Sequence, residues 1–397
     1  MRDFRILWTG QVVSALGTRI SGVAFPLLTL RLTHSATKAG AVGFAGTLPL
    51  LLLTLHAGAF ADRHDRRRMM IACEVARAIA LASIAAGVVW HFVSFTQLVV
   101  VAVVDGAGFT LFEIAQRAAL RQLVDPADLP QAAAMNQGRE YGALLVGLPL
   151  GGVLYAVGRA IPFLVDGVSY VASAVSLLLI RRPFSEERVA DESPASLRIE
   201  IAEGVRWLWA QPFLRATSLV VIASDLTVNA LFLVVVVLAK REGASSALVG
   251  VILVFMGVGG LIGAAIAPHA IRHLPPQAGI YATLIAMTGL LPVMMLVRQP
   301  AALGALYGAM FVAYPTWGAT VSAYRAALVP DRLQGRVQSV ATLMSLGAVP
   351  LALLAVGASL QHLGGTTTLL ALFGLMVVAT TYALASKAMR NPEPLPV

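Results

Sequence analysis

Charge and cysteine are both scarce in this chain, and each shortage excludes a class of protein. Only 12% of the residues are charged, against about 25% in a typical soluble domain, which leaves too little polar surface for a water-soluble body. The 58% hydrophobic content excludes a disordered chain, because such chains are poor in apolar residues. Cys73 is the only cysteine, so neither an intrachain disulfide nor a cysteine metal cluster can form.

The signatures of two kinds of catalytic chemistry are also missing. No Gly-x-x-x-x-Gly-Lys-Ser/Thr phosphate loop occurs, so direct use of ATP by this chain is not expected. The histidines are scattered, and the only helical pair, His269 and His273, has no nearby carboxylate. We interpret that pair as loop charge and predict neither a metal nor a cofactor. A membrane enzyme, which needs clustered polar groups at one membrane face, is a poorer hypothesis than a non-enzymatic protein.

Apolar segments fill most of the chain. A bilayer core about 30 Å thick requires roughly 20 apolar residues per helix, and the sequence predicts twelve such spans. We therefore predict an all-α membrane protein with two pseudo-symmetric six-helix bundles, 1–180 and 214–397, joined by a cytoplasmic linker, 181–213. The spans are placed near 6–30, 39–61, 69–91, 95–120, 135–157, 162–180, 214–238, 246–268, 277–297, 302–328, 338–360 and 366–386.

Basic residues are distributed unevenly between the two sides of these spans. The net charge is +9, and with the N-terminus inside, 20 Lys and Arg fall on the cytoplasmic side against six on the other. Positive charge is retained on the cytoplasmic side of a membrane, so both termini are predicted to be cytoplasmic. Because the charge lies in these gaps, it does not indicate a nucleic-acid partner.

The polar segment 181–213 has two parts. The first, RRPFSEERVADESPAS, has a linker composition. The second predicts an amphipathic helix at the inner membrane surface, the alternative being a solvated loop helix. Its apolar residues at helical spacing are Leu197, Ile201, Val205, Leu208 and Trp209.

The two halves contain similar segments. RAALRQLVDPADL at 117–129 is similar to RAALVPDRLQGRV at 325–337, an offset of 208 residues. Each segment lies at the inner end of the fourth span of its half. Parallel repeats of this kind occur in secondary transporters, whose substrate site lies at the repeat interface near the middle of the membrane.

Three motifs resemble those of a known family. The opening LWTGQVVSALGTRISGVAFPLL, the loop GAFADRHDRRRMM at 58–70 and VGLPLGGVL in the fifth span together resemble the major facilitator superfamily. The resemblance covers essentially the whole chain, and it is strongest to the drug and siderophore exporter branch, which includes enterobactin exporters and macrolide efflux proteins. It implies a transporter of the bacterial cytoplasmic (inner) membrane that works by alternating access.

The loop at 58–70 carries an implied conformational role. In the family, its Asp and basic residues latch the two halves in the outward-open state. The alternative is topological charge combined with helix capping. Asp65 stands where the family loop usually has a second Gly. The resemblance assigns this latch role to Gly58, Asp62, Arg63 and Arg66, with Glu113 as a counter-charge.

The fifth span resembles the family's antiporter motif. Leu148 separates Gly147 from Pro149, which are adjacent in the family. The alternative role of these small residues is close helix packing. The full set is Gly147, Pro149, Gly151 and Gly152.

Ionisable residues inside a membrane span usually face a cavity or a partner. Arg19 and Asp225 lie halfway along corresponding spans of the two halves, and we predict that they approach each other, with Asn229 one turn away. Asp225 is the leading proton-coupling candidate. The alternatives are a permanent ion pair, an Asp225 that faces water without coupling, and the rival site Asp105, whose neighbours Gly106 and Gly108 would admit another helix.

Other charged residues in the spans are expected to have local roles. Glu74 and Arg77 are predicted to pair at i and i+3, and Asp166 is placed at the wet outer interface. Arg139 and Glu140 are taken as interfacial residues at the start of the fifth span.

Aromatic residues form a stripe at helical spacing on the tenth span. Such a wall suits a bulky, partly apolar solute, although helix packing is the alternative. The predicted contacts are Tyr307, Phe311, Tyr314 and Trp317, followed by Tyr324, with Phe109, Phe112 and Phe232 as additions.

The favoured hypothesis is a secondary active transporter, a proton-coupled exporter of a small amphipathic or drug-like molecule. The expected partners are this solute, the lipid bilayer and protons, and the expected state is a monomer. Alternatives are an importer or a lipid carrier on the same fold and, in other classes, a membrane sensor or a membrane enzyme.

Overall fold

The structure, a computed structural model, describes residues 2–63, 65–125, 128–180, 197–330 and 333–391. Almost all of this part of the chain is helical. The helices are α1 Arg2–Thr33, α2 Ala36–Arg63, α3 Arg66–Val89, α4 Phe95–Leu123, α5 Leu129–Val157, α6 Ile161–Leu179, α7 Leu197–Ala210, α8 Pro212–Arg241, α9 Ser246–His273, α10 Pro276–Leu296, α11 Pro300–Leu328, α12 Gln334–Leu346, α13 Val349–His362, α14 Gly364–Ala385 and α15 Lys387–Arg390.

The helices agree with the predicted all-α membrane fold. Among the described residues, eleven segments are long and apolar enough to cross a bilayer, and α12 with α13 forms one of them. The remaining predicted span, the tenth at 302–328, is α11, a helix of 29 residues that is rich in Gly, Tyr and Thr and therefore less apolar. The twelve-span architecture is thus consistent with the structure.

The eleventh predicted span is not one continuous helix. α12 ends at Leu346 and α13 begins at Val349, so Gly347 and Ala348 interrupt it. Pro350 lies in the first turn of α13. Proline lacks the backbone N–H that a helix interior uses, and its fixed φ suits a helix start. This explains why the chain ends one helix and starts another here.

The connection between α2 and α3 is much shorter than the loop predicted at 58–70. α2 continues to Arg63 and α3 begins at Arg66. Asp65 caps α3, because its Oδ1 accepts hydrogen bonds from the backbone N–H groups of Arg67 at 2.9 Å and Arg68 at 3.2 Å. A capping side chain satisfies donors that the first helical turn leaves unpaired. Asp65 therefore starts a helix at the position where the family has a glycine.

The chain divides into two compact units. Unit 1 contains α1 to α6 and the segment Gly243–Val254, which includes the start of α9. Unit 2 contains α7, α8 and the chain from Phe255 onward. The amphipathic part of the predicted linker, α7, thus belongs with α8. The predicted linker residues 181–196 lie outside the described residues.

In unit 1, helices pack closely where glycines face each other. α1 packs against α5 and α6, α3 against α4 and α6, and α2 against α4. A Cβ atom on Gly106 of α4 would lie 1.9 Å from the carbonyl oxygen of Gly46 on α2, and a Cβ on Gly108 would lie 2.7 Å from Cγ of Arg77. Small residues allow this approach of two backbones, as predicted for Gly106 and Gly108.

Unit 2 repeats this arrangement. α8 packs against α11 to α14, and α10 packs against α11 and α14. A Cβ on Gly259 of α9 would lie 2.0 Å from the carbonyl oxygen of Gly308 on α11. In both units the second and fourth spans therefore meet at glycines. This correspondence supports the internal repeat seen in the sequence.

α7 packs against α12 of unit 2. Leu208 is buried against Val337 and Val340 of α12, and Glu203 forms an ion pair with Arg336. Trp209 remains exposed, as does Val205 one turn before it. Of the predicted apolar face, Leu208 therefore contacts the protein, whereas Val205 and Trp209 are exposed. The side chains of Leu197 and Ile201 lie outside the described residues.

Candidate functional site

Unit 2 contains a cavity of about 360 Å³ between α8, α11 and α12. Its wall combines apolar side chains such as Val221 and Met344 with polar ones, and it includes three predicted residues, Asp225, Asn229 and Tyr314. A mixed wall of this kind suits a solute with both apolar and polar parts.

Asp225 is the acidic residue of this wall. It is 7% exposed, and its two oxygens accept hydrogen bonds from the hydroxyls of Tyr314 and Ser345. The Asn229 side chain donates to the backbone oxygen of Asp225 at 2.8 Å. No basic side chain described in unit 2 lies within 4.0 Å of the Asp225 carboxylate. Hydroxyl groups, which can rotate away, are therefore its partners in this unit.

Ser345 and Arg325 of the same cavity were missed by the sequence reasoning. Ser345 lies two residues before the break between α12 and α13. Arg325 lines the cavity and donates to Oε1 of Gln338 at 3.0 Å. Arg325 belongs to the repeated segment and had been counted only as cytoplasmic charge. No periodicity distinguishes Ser345 from other small residues of its span.

Within unit 1, Arg19 forms an ion pair with Glu140; its predicted approach to Asp225, which lies in unit 2, stays a prediction. Nη2 of Arg19 lies 3.1 Å from Oε2 of Glu140, and Arg139 binds the other oxygen of Glu140 at 2.9 Å. The helix α5 begins at Leu129, and its segment apolar enough to cross a membrane is Met135–Val157, as predicted. Glu140 lies about 8 Å into that segment at 1.5 Å per residue, where it is the partner in two ion pairs.

The glycines of the fifth span lie at close backbone contacts. A Cβ on Gly147 would lie 2.5 Å from Cβ of Arg19, and one on Gly151 would lie 2.4 Å from the carbonyl oxygen of Ile20. A Cβ on Gly152 would lie 2.5 Å from Cα of Gly250, which belongs to the part of α9 in the same unit. Pro149 also takes part, because its carbonyl oxygen is 2.7 Å from a Cβ placed on Gly250. The segment permits close packing of α5 on its neighbours.

The aromatic stripe on α11 is mostly packing in this conformation. Tyr307 is buried and its hydroxyl donates to the backbone oxygen of Val228 at 2.9 Å. Trp317 is also buried, and Phe311 lies against the rings of Tyr307 and Tyr314. Tyr314 is the member that lines the cavity.

The remaining predicted aromatics lie elsewhere. Phe112 is 2% exposed and belongs to an apolar core with Phe4 and Leu7, so it acts as a packing residue here. Phe109 is exposed on one side and lies 5.7 Å from the guanidinium of Arg77. Phe232 is partly buried on α8.

The predicted latch can be followed only in part. The side chains of Gly58, Asp62 and Arg63 lie outside the described residues. Arg66 begins α3. Glu113 lies 3.6 Å from Nη2 of Arg117 and 3.9 Å from Nη2 of Arg139, all within unit 1.

A buried charge cluster in unit 1 contains the rival site, Asp105. Nε of Arg77 lies 2.9 Å from Oδ1 of Asp105, and Nη1 lies 3.9 Å from Glu74. The Tyr170 hydroxyl receives a hydrogen bond from Arg77 and donates to Asp105 at 3.1 Å. The predicted Glu74–Arg77 pair is thus present, but Asp105 is the closer partner.

Asp166 belongs to the same cluster, which corrects its placement at a wet interface. It is completely buried, with hydrogen bonds to the hydroxyls of Ser21 at 2.5 Å and Ser169 at 3.2 Å. Gly17 on α1 makes room for it, since a Cβ there would lie 2.6 Å from Oδ1. The position of Asp166 near the end of α6 suggested that its side chain is exposed to water. The packing of α1 on α6 instead buries this side chain.

Comparison with known proteins identifies the family. Residues 1–393 match the family described as transmembrane secretion effector. The multidrug efflux pump Tap of Mycobacterium tuberculosis is 29% identical over 426 residues, covering 99% of this chain and 95% of that protein. Macrolide efflux protein A of Streptococcus pyogenes is 25% identical over 209 residues, covering 51% of this chain and 50% of that protein.

Solved transporter structures show a similar fold. A bacterial homologue of the human lysosomal transporter Spinster, solved in an inward-facing and unoccupied conformation, has a TM-score of 0.75. It is 14% identical, with 98% of this chain and 97% of that chain covered, so the likeness concerns the fold. This chain therefore belongs to the major facilitator superfamily, in the family of transmembrane secretion effectors, and is a multi-pass membrane transporter rather than an enzyme.

Proposed function

We propose that this transporter exports small amphipathic, drug-like molecules in exchange for protons. The observation that carries the proposal is the Asp225 carboxylate on the cavity of unit 2, held by two hydroxyls and next to apolar side chains. The relatives named as multidrug and macrolide efflux proteins support the solute class and the direction.

The hydrogen bonds of Asp225 suggest how a proton would be linked to movement. An ionised carboxylate accepts from both Tyr314 and Ser345, whereas a protonated one must also donate. Protonation therefore requires at least one hydroxyl to turn. Because Tyr314 lies on α11 and Ser345 on α12, this turn alters contacts between three helices around the cavity.

Several features of the topology belong to the same proposal. The protein is a monomer of the bacterial inner membrane with both termini in the cytoplasm, as the distribution of Lys and Arg favours. Its two six-helix halves alternate access to a central site. The segment from Gly58 to Arg66 with Glu113 acts as the latch between conformations, and the glycines from Gly147 to Gly152 keep α5 closely packed on its neighbours.

Transport by inverted membrane vesicles tests the proposal. Vesicles with an acidic lumen should accumulate ethidium, an amphipathic cation, or erythromycin, a macrolide, when they contain the wild-type transporter. Asp225→Asn should reduce accumulation to the level of vesicles without it, because the amide cannot bind and release a proton.

A matched control separates this effect from loss of charge on α8. Glu242→Gln changes an exposed acid to an amide at the end of the same helix and should leave accumulation unchanged. Undiminished uptake by Asp225→Asn would exclude Asp225 as the coupling residue. Flux in the opposite direction would indicate an importer, and movement of a fluorescent phospholipid alone would indicate a lipid carrier.

A further inference from the structure

The buried cluster of unit 1 contains more acid than base. Three carboxyl groups, on Glu74, Asp105 and Asp166, share this interior with one guanidinium, that of Arg77, which pairs with the first two. Arg77 and Glu74 are at most 2% exposed, as is Asp166. Three ionised carboxylates beside one cation would leave uncompensated negative charge out of contact with water, which is costly enough that a carboxyl group takes up a proton instead.

Arg77 compensates only two of the three carboxyl groups. Its Nε lies 2.9 Å from Asp105, and its Nη1 lies 3.9 Å from Glu74. Among the described side chains of unit 1, no Lys, Arg or His nitrogen lies within 4.0 Å of Asp166. Asp166 is therefore the carboxyl group of the three that has no direct ion pair and interacts with Arg77 only at longer range.

The hydroxyl partner of Asp166 has one proton but two acceptors within reach. Ser21 Oγ lies 2.5 Å from Oδ2 of Asp166 and 3.3 Å from the backbone oxygen of Thr18. A hydroxyl donates one hydrogen bond and can accept others. If Oδ2 carries a proton, Asp166 donates to Ser21 and Ser21 donates to Thr18, so that both bonds are made.

Glu74 provides a separate observation. Its Oε1 accepts from Ser173 at 2.7 Å, but its Oε2 is buried and has no hydrogen-bond partner in the described structure. An unpaired buried acceptor is uncommon. Oε2 is thus an atom of the cluster that can receive a proton without breaking an existing hydrogen bond.

We propose that this cluster is a second proton-binding site of the transporter, in which Asp166 carries a proton in the conformation described here. The titratable and charged groups that act on Asp166 are Arg77 from α3, Asp105 from α4 and Tyr170 from its own helix, and Glu74 is linked to them through Arg77. α1 contributes the hydroxyls of Ser14, Thr18 and Ser21. A proton fits better than a metal cation because the guanidinium already lies between the carboxyl groups and repels one.

Infrared spectroscopy of the purified full-length protein in lipid nanodiscs tests this proposal without any transport substrate. The probe is the carbonyl stretch of a protonated carboxylic acid, identified by its shift in D₂O and followed as the pH is raised. Asp166→Asn should remove one such band, whereas Glu74→Gln within the cluster and the exposed Glu242→Gln should retain it. Spectra of Asp166→Asn identical to wild type at every pH would overturn the proposal, as would loss of the same band in Glu74→Gln alone.

Folding provides a second readout. Asparagine has the shape of a neutral aspartic acid and can still donate to Ser21, so Asp166→Asn should unfold at nearly the wild-type temperature. Failure of this variant to fold would contradict a protonated Asp166. Neither measurement involves Asp225 or transport. A negative result in the vesicle experiment therefore does not affect the proposal for Asp166, and a negative infrared result does not affect the proposal for Asp225.

Discussion

The two acidic sites within the membrane spans differ in how their carboxyl groups are surrounded. Asp225 in unit 2 has two hydroxyl partners and borders a cavity of about 360 Å³. The carboxyl groups of unit 1 share a packed interior with one buried guanidinium. Both sites are built from small hydroxyl residues and a tyrosine, but among the described side chains only the carboxyl groups of unit 1 form an ion pair with a cation.

Because of this difference, the carboxylate of Asp225 can exchange its hydrogen-bond partners, whereas the carboxyl groups of the unit 1 cluster cannot. Next to a cavity, water or a solute can replace a lost hydrogen bond. In a packed cluster, loss of one partner leaves another group buried and unpaired, which is strongly destabilising. Equivalent substitutions at the two sites should therefore have unequal effects on folding.

Removal of the buried cation should have the largest effect. Arg77→Met keeps much of the side-chain volume but leaves Glu74 and Asp105 without their counter-charge, so we expect a loss of about 3–5 kcal/mol of stability. Thermal unfolding of the purified protein measures this. Arg68→Met, at an exposed position of the same helix, should unfold like wild type, and equal stability of both variants would show that the cluster does not depend on Arg77.

Crowding of the same cation should have an intermediate effect. A Cβ on Gly108 would lie 2.7 Å from Cγ and 2.8 Å from Cδ of Arg77. Gly108→Ala should cost about 1–3 kcal/mol, the usual cost of overpacking. Nothing lies within 4 Å of a Cβ placed on Gly138, so Gly138→Ala should be neutral or stabilise α5 by about 0.5–1 kcal/mol. Urea unfolding of the two variants compares them.

A matched pair of serine substitutions should show the smallest difference. Ser173→Ala removes the 2.7 Å hydrogen bond to the buried Glu74 and should cost about 1–3 kcal/mol. Ser345→Ala removes a donor to Asp225, but water in the cavity can replace it, so a loss below about 1 kcal/mol is expected. If the unfolding temperatures of the two variants ranked in the opposite order, the proposed contrast between the sites would be wrong.

The lengths of the apolar segments and the positions of the basic residues were sufficient to predict most of the fold. Long apolar runs separated by short basic gaps predicted the helices, and the repeated segment at 117–129 and 325–337 predicted the correspondence of α4 and α11. The break between α12 and α13 was not predicted. Proline is tolerated within membrane helices, so Pro350 alone does not indicate whether a helix kinks or restarts.

The sites were less accessible to sequence reasoning because they depend on which side chains meet. Asp225, Asn229 and Tyr314 were predicted from their types and depth, and the cavity brings them together. The Arg19–Glu140 ion pair was not predicted, because the positions of two charges along α1 and α5 do not show that their side chains face each other. Asp166 was misplaced because depth along a helix says nothing about the packing of a neighbour, here α1, over that side chain.

The break in the eleventh span has a consequence for biogenesis. α12 and α13 contain 13 and 14 residues, so each is about 20 Å long at 1.5 Å per residue, shorter than a hydrocarbon core of about 30 Å. Neither could be inserted by itself as a spanning segment. The translocon must therefore receive both pieces as one hydrophobic segment, and the joint between them must find its partners among the helices synthesised earlier, with α8 against both pieces.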